Sequence, residues 1–114
     1  MIDLRPDHLE IVKRILAEHV PGCEVRAFGS RVKWTAKGYS DLDLAILGPR
    51  KLKRSRLGLL AEAFSESDLP FRVDVLDWHT LSDEFRQIVT QEYEVIQISG
   101  EVARLAPGVS ASLR

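Results

Sequence analysis

The sequence predicts an α/β (α+β) fold, a small mixed β-sheet flanked by helices. Three observations carry that prediction. Segments with helical spacing of apolar residues alternate with short runs rich in β-branched residues. Breakers stand at the junctions, as at Pro21-Gly22, Gly48-Pro49 and Pro70. The 114 residues, 45% of them hydrophobic, suffice for one domain with one core.

Pro6 suits a helix start, and Leu9, Ile11, Val12, Ile15 and Leu16 recur at helical spacing, so 6–19 reads as an amphipathic helix. Gly22 ends it. Residues 24–29, EVRAFG, alternate and read as a strand. A helical turn and a loop fill 30–40. DLDLAIL, 41–47, is a second strand, stopped by Gly48-Pro49. Leu52, Leu59, Leu60, Ala63 and Phe64 mark a helix over 51–66. FRVDVLDW, 71–78, is a third strand. Ser82 is an N-cap before acidic residues and opens a helix from 83 to about 91. EYEVIQI, 92–98, is a last short strand. The domain therefore spans 1–98. Residues 99–114 carry Pro107-Gly108 and few large apolar side chains, so a loosely ordered C-terminal tail is expected there.

Bulk composition narrows the function. The net charge is −1, so no global field draws nucleic acid or membrane, and direct nucleic-acid binding is not expected. The single cysteine, Cys23, allows no intramolecular disulfide and argues against a cysteine zinc site. The charged start MIDLRPDHLE lacks a signal-peptide apolar block, and no apolar stretch nears the roughly 20 residues that span a bilayer. A cytoplasmic location is expected. So small a domain can hold one substrate but has no second domain to enclose another. A group it transfers would go to a macromolecule.

Asp41 and Asp43 lie one residue apart in a strand, so they share a face while Leu42 and Leu44 take the other. Two close carboxylates raise each other's pKa, which a purely structural role does not offset. A cation does, since Mg²⁺ takes carboxylate oxygens together with substrate phosphates. A third acid would complete a two-cation site. Asp74 and Asp77 are both candidates, on opposite faces of the third strand, and strand phase alone does not choose. Asp74 is favoured because it lies mid-strand, where a charge is harder to explain, whereas Asp77 stands near the end and can cap a turn. Upstream, FGSR follows the first strand. Gly29 lets the backbone approach a ligand, the amides after it open a helical turn, and Ser30 and Arg31 add a hydroxyl and a positive charge. A phosphate cradle thus precedes a metal seat, and a nucleoside triphosphate could lie across both.

These residues together resemble the nucleotidyltransferase superfamily associated with DNA polymerase β: Gly29-Ser30, then Asp41-Leu42-Asp43, then Asp74. FGSRVKWTAKGYSDLDLAI and SDLPFRVDVLDW are similar to the minimal nucleotidyltransferase (MNT) proteins, over about residues 5–98. Many of those have a small residue, often Gly, where this chain has Trp34. The resemblance implies a polymerase β-like fold and an antitoxin that moves AMP from ATP to a tyrosine of a HEPN-type ribonuclease toxin, in a hetero-oligomer. It implies Asp41, Asp43 and Asp74 as catalytic residues and ligands of two Mg²⁺ ions, with Gly29, Ser30 and Arg31 binding the nucleotide. Two other functions compete: an antitoxin that works by contact alone, and an antibiotic nucleotidyltransferase, for which the chain looks short. RKLKRSR, 50–56, could meet RNA or an acidic partner surface, but a solvated helix start is the simpler reading at this neutral total charge.

Overall fold

In the computed structural model, which describes residues 2–37 and 40–99, helices and strands alternate as the sequence predicts. They are α1 (Pro6–His19), β1 (Glu24–Phe28), α2 (Ser30–Lys33), β2 (Leu42–Leu47), α3 (Arg54–Ser65), β3 (Val73–Asp77), α4 (Asp83–Gln91) and β4 (Glu94–Gln97). A 3₁₀ turn, Trp78–Thr80, which the sequence did not signal, joins β3 to α4. Apart from Ser99, the expected C-terminal tail lies outside the described residues.

The sheet order is β3-β2-β1-β4. β1 runs antiparallel to both β2 and β4, while β2 and β3 are parallel, joined by the α3 crossover. The sheet is therefore mixed, as expected, and the register decides which side chains meet. Val25, Leu42, Leu44 and Ile46 face α1 and α3, where they pack with Val12, Leu16, Leu60 and Phe64 into the main core. On the other face, Phe28, Ala45 and Val89 form a smaller cluster with Phe85 of α4. Ser82 caps α4, its hydroxyl accepting from the Phe85 amide at 3.1 Å. Beside this cluster the Arg26 guanidinium, held by Glu24 at 2.7 Å, lies over both Tyr93 and Trp78. Trp78 therefore packs against cations at a half-buried site.

α3 starts at Arg54, three residues later than periodicity suggests, because the chain before it is used otherwise. The Leu52 amide donates to Asp77 Oδ2 at 2.8 Å, and the His79 amide donates to Asp77 Oδ1 at 3.0 Å. Leu52 is buried, so the basic segment is pinned at its middle rather than wound into helix. At the chain's other end, Ile2 is buried, and the Asp3 amide donates to the Arg31 carbonyl at 2.7 Å.

Candidate active site

The site lies at the end of the sheet where β1 stops and β2 and β3 begin. Phe28 is opposite Asp43 across the antiparallel pair, and Asp43 is opposite Asp74 across the parallel pair. Neighbouring residues in register point the same way. Asp43 and Asp74 therefore stand side by side on one face, and Asp41 lies exposed just before β2. The choice left open by strand phase now has a geometric answer. Asp77 is in register with Ile46, on the core face, and is 4% exposed with both its oxygens occupied by backbone amides. It is a structural clamp, and Asp74 is the acid that meets the pair.

Asp43 shows the strain of this arrangement. Its carboxyl is pushed up to about 6, first by burial, then by the charges of Asp74 and Asp41. Among the described residues neither Asp41 nor Asp43 receives a hydrogen bond or an ion pair. Asp74 has a cation near it, Arg72, whose guanidinium lies 3.9 Å from Asp74 Oδ1. The two-residue spacing of Arg72 and Asp74 already puts both on one strand face in the sequence, although it gives Arg72 no role in the site. Unneutralised carboxylate oxygens in a half-buried place are the donor set a hard cation takes. No three His, Cys, Asp or Glu side chains among the described residues form a ready cage.

Gly29 touches this pair from the other side. Its φ of 84° and ψ of −156° belong to a region essentially reserved for glycine. A Cβ built there would run into the Asp43 carboxylate. The backbone can thus pass directly over the acid and start α2 at Ser30. Among the described residues the Ser30 hydroxyl has no partner, which leaves it available to a ligand. α2 then ends at Trp34, a left-handed residue (φ 59°, ψ 33°) where glycine is the common choice. Trp34 is 60% exposed.

Arg31 does not join Ser30. Successive helical side chains are turned about 100° from each other, so a hydroxyl and a guanidinium one residue apart cannot share a face. The Arg31 side chain points inward and is 7% exposed. Nε donates to the Ser40 carbonyl at 3.0 Å, a terminal nitrogen donates to the Asp3 carbonyl at 3.1 Å, and the group lies 4.3 Å from the Phe71 ring centre. The phosphate contact expected of Arg31 is replaced by a brace on the loop that delivers Asp41. The structure brings Gly29, Ser30, Asp41, Asp43 and Asp74 to one end of the sheet and turns Arg31 beneath it.

A mixed four-stranded sheet that aligns a Gly-Ser turn with carboxylates on two neighbouring strands is the architecture of a nucleotidyltransferase domain. Residues 10–101 match the family described as polymerase beta, nucleotidyltransferase, and the chain belongs to that family. It is 55% identical over 96 residues to a Haemophilus influenzae protein named probable protein adenylyltransferase MntA, a match covering 84% of each chain. The fold is similar to that of a chain in a crystal structure of a toxin-antitoxin with AMP-PNP, with a TM-score of 0.70 and 23% identity over 84% of this chain and 77% of that one. It is also similar to a chain in the structure of a tri-AMPylated Shewanella oneidensis HEPN toxin in complex with MNT antitoxin, with a TM-score of 0.60 and 22% identity over the same shares. No described helix is long and apolar enough to cross a membrane.

Gly29→Ala tests the close approach. Strain at this backbone position costs about 1–3 kcal/mol. The carboxylate that must give way is Asp43, so nucleotide affinity falls together with stability. Thermal unfolding with and without AMP-PNP checks this: the variant melts lower and gains less from the nucleotide than the wild type.

Proposed function

We infer that the protein is an antitoxin that transfers AMP from ATP to a tyrosine of a partner HEPN toxin and so silences it. The observation that carries this is the register of Asp43 and Asp74, with the Asp43 carboxylate un-neutralised and overlaid by the Gly29 backbone. A domain that silenced its partner by contact alone would gain nothing from holding these carboxylates together. The 55% identical relative named as a protein adenylyltransferase supports the same reading.

Asp41, Asp43 and Asp74 hold Mg²⁺, which when bound neutralises the triphosphate and the carboxylates together. Ser30 and the amides of the turn hold the phosphates. Gly29 keeps the chain low enough for the nucleotide to sit over Asp43. The acceptor hydroxyl attacks the α-phosphorus. A new P–O bond forms to the acceptor oxygen, the bridging bond to the β-phosphate breaks, and pyrophosphate leaves. Asp74, at the sheet edge, takes the hydroxyl proton. Arg31 holds the Asp41 loop in place. Residues 1–98 form the catalytic unit, and the pair works in the cytoplasm, where the toxin meets its RNA.

The experiment is transfer of label from α-labelled ATP, with Mg²⁺, to the HEPN partner. The wild type labels the toxin. Asp74→Asn still binds the toxin but labels it at least about a hundredfold more slowly, the loss expected for a removed proton acceptor. Tight complex formation without labelling by any nucleotide would replace this function with neutralisation by contact.

A further inference from the structure

The sheet has two edges, and the one formed by β3 borders the active site. A groove of about 700 Å³ runs between this edge and α3. Phe64, Phe71, Val73 and Val75 contribute its apolar lining, and Asp74 opens it onto the catalytic face. Apart from Asp74, nothing in the transfer mechanism described above uses this groove.

Two residues of α3 that line it weaken the helix they belong to. Gly58 lies mid-helix, where glycine is less favourable than alanine. No packing demands it, since a Cβ there would meet nothing within 4 Å. Arg54 occupies the first turn, where a cation opposes the helix dipole, and that turn holds no acid to offset it. Local rules broken on one surface mark that surface as functional. Gly58 keeps the groove open, and Arg54 gives it a charge.

The groove also has direction. The Leu52–Asp77 hydrogen bond ties the start of α3 to the far end of β3, so Arg54 lies at that end. Arg72 and Asp74 stand at the other, beside Asp43. The 12 residues of α3 extend about 18 Å at 1.5 Å each. Five residues of extended chain cover roughly the same length. An edge strand offers a row of backbone groups to such a chain.

We propose that the α3–β3 groove docks the acceptor: an extended, largely apolar protein segment that lies along the β3 edge, with its hydroxyl-bearing residue at Asp74 and a carboxylate side chain at Arg54. This rests on the transferase reading and names the recognition surface of the same site. A nucleic acid fits poorly, because phenyl and aliphatic groups line the groove and one of its two arginines, Arg72, stands beside Asp74. The segment of RKLKRSR around Arg54 thereby gains a role: it meets an acidic group on a protein partner.

The full-length chain and its HEPN partner provide the test. Gly58→Trp fills the groove and raises KM for the toxin at least about tenfold, while AMP-PNP affinity stays at the wild-type value. Gly58→Ala raises the melting temperature by a few degrees, which shows that the helix itself tolerates a side chain at 58. Arg54→Glu, which suits the first turn of a helix, raises KM without lowering the melting temperature. A photo-crosslinking residue at position 58 joins one extended segment of the toxin, with or without ATP. An unchanged KM in Gly58→Trp, or an adduct with RNA or with no toxin segment, overturns the proposal even if the wild type labels its partner normally. If the toxin adduct forms but the wild type transfers no label, the transferase reading fails and the docking groove stands.

Discussion

Asp43→Asn abolishes transfer and makes the metal-free protein more stable. Both effects come from one cause. The Asp43 carboxyl is pushed up to about 6 by burial and by its two acidic neighbours. A carboxyl whose folded pKa exceeds its unfolded value stabilises the fold while protonated, below about pH 4, and that contribution is lost as pH rises through 6. At neutral pH the ionised group therefore works against folding. A two-unit shift corresponds to about 3 kcal/mol at most, and screening at this half-exposed site lowers it to about 1–3 kcal/mol. Asn removes the charge at nearly constant shape. The variant is expected to melt several degrees above the wild type at pH 7.5, with the difference vanishing near pH 4. Mg²⁺ with AMP-PNP then raises the wild-type melting temperature and leaves the variant unmoved. Transfer falls by at least about a thousandfold, as when a group that stabilises developing charge is removed. A variant no more stable than the wild type at pH 7.5 would show that the carboxylates do not repel in the free protein.

Arg31→Leu has the opposite signature. The buried guanidinium donates to the carbonyls of Ser40 and Asp3 and stacks on Phe71. Leucine replaces some of the apolar contact but leaves two carbonyls without their donors. The loss is about 2–4 kcal/mol. Arg31→Lys recovers little of it, because an ammonium lacks the planar fork that spans two acceptors and stacks on a ring. Urea unfolding measures the loss. Labelling of the toxin at low temperature, where the variant remains folded, falls as well, since the Ser40 contact holds the loop before Asp41. Full stability in Arg31→Leu would mean that the brace is dispensable.

These two residues also mark how far the sequence could be read. Asp41 and Asp43 were legible because two acids at period two in an apolar run have no structural motive. The same alternation could not separate Asp74 from Asp77: the phase of an isolated strand is symmetric until a neighbour fixes its register, and the parallel pairing with β2 supplied that. Arg31 was misplaced because sequence adjacency to Ser30 suggested a shared target, whereas one helical step turned it away from the ligand side. The start of α3 slipped because a tertiary bond from Leu52 to Asp77 overrides helical spacing. The left-handed conformation of Trp34 has one signal, the Gly that similar proteins often carry at this position, and nothing in the tryptophan itself announces it. The sheet order was open at the outset, because short strands of similar character can pair in several ways. Alternating patterns specify the elements, and long-range contacts choose among their arrangements.

The exchange of backbone and side-chain hydrogen bonds between Asp3 and Arg31 has a practical corollary for anyone who builds with this domain. Chain ends are where fusions, labels and tags are ordinarily placed, on the assumption that they are slack. Here Ile2 is tucked into the core and the residue after it is laced to the helical turn that follows the Gly-Ser pair. A tag that draws residue 2 outward tugs on that turn as directly as a substitution within it. An affinity handle for assays of transfer belongs elsewhere on the surface, for instance on the exposed outer side of α4.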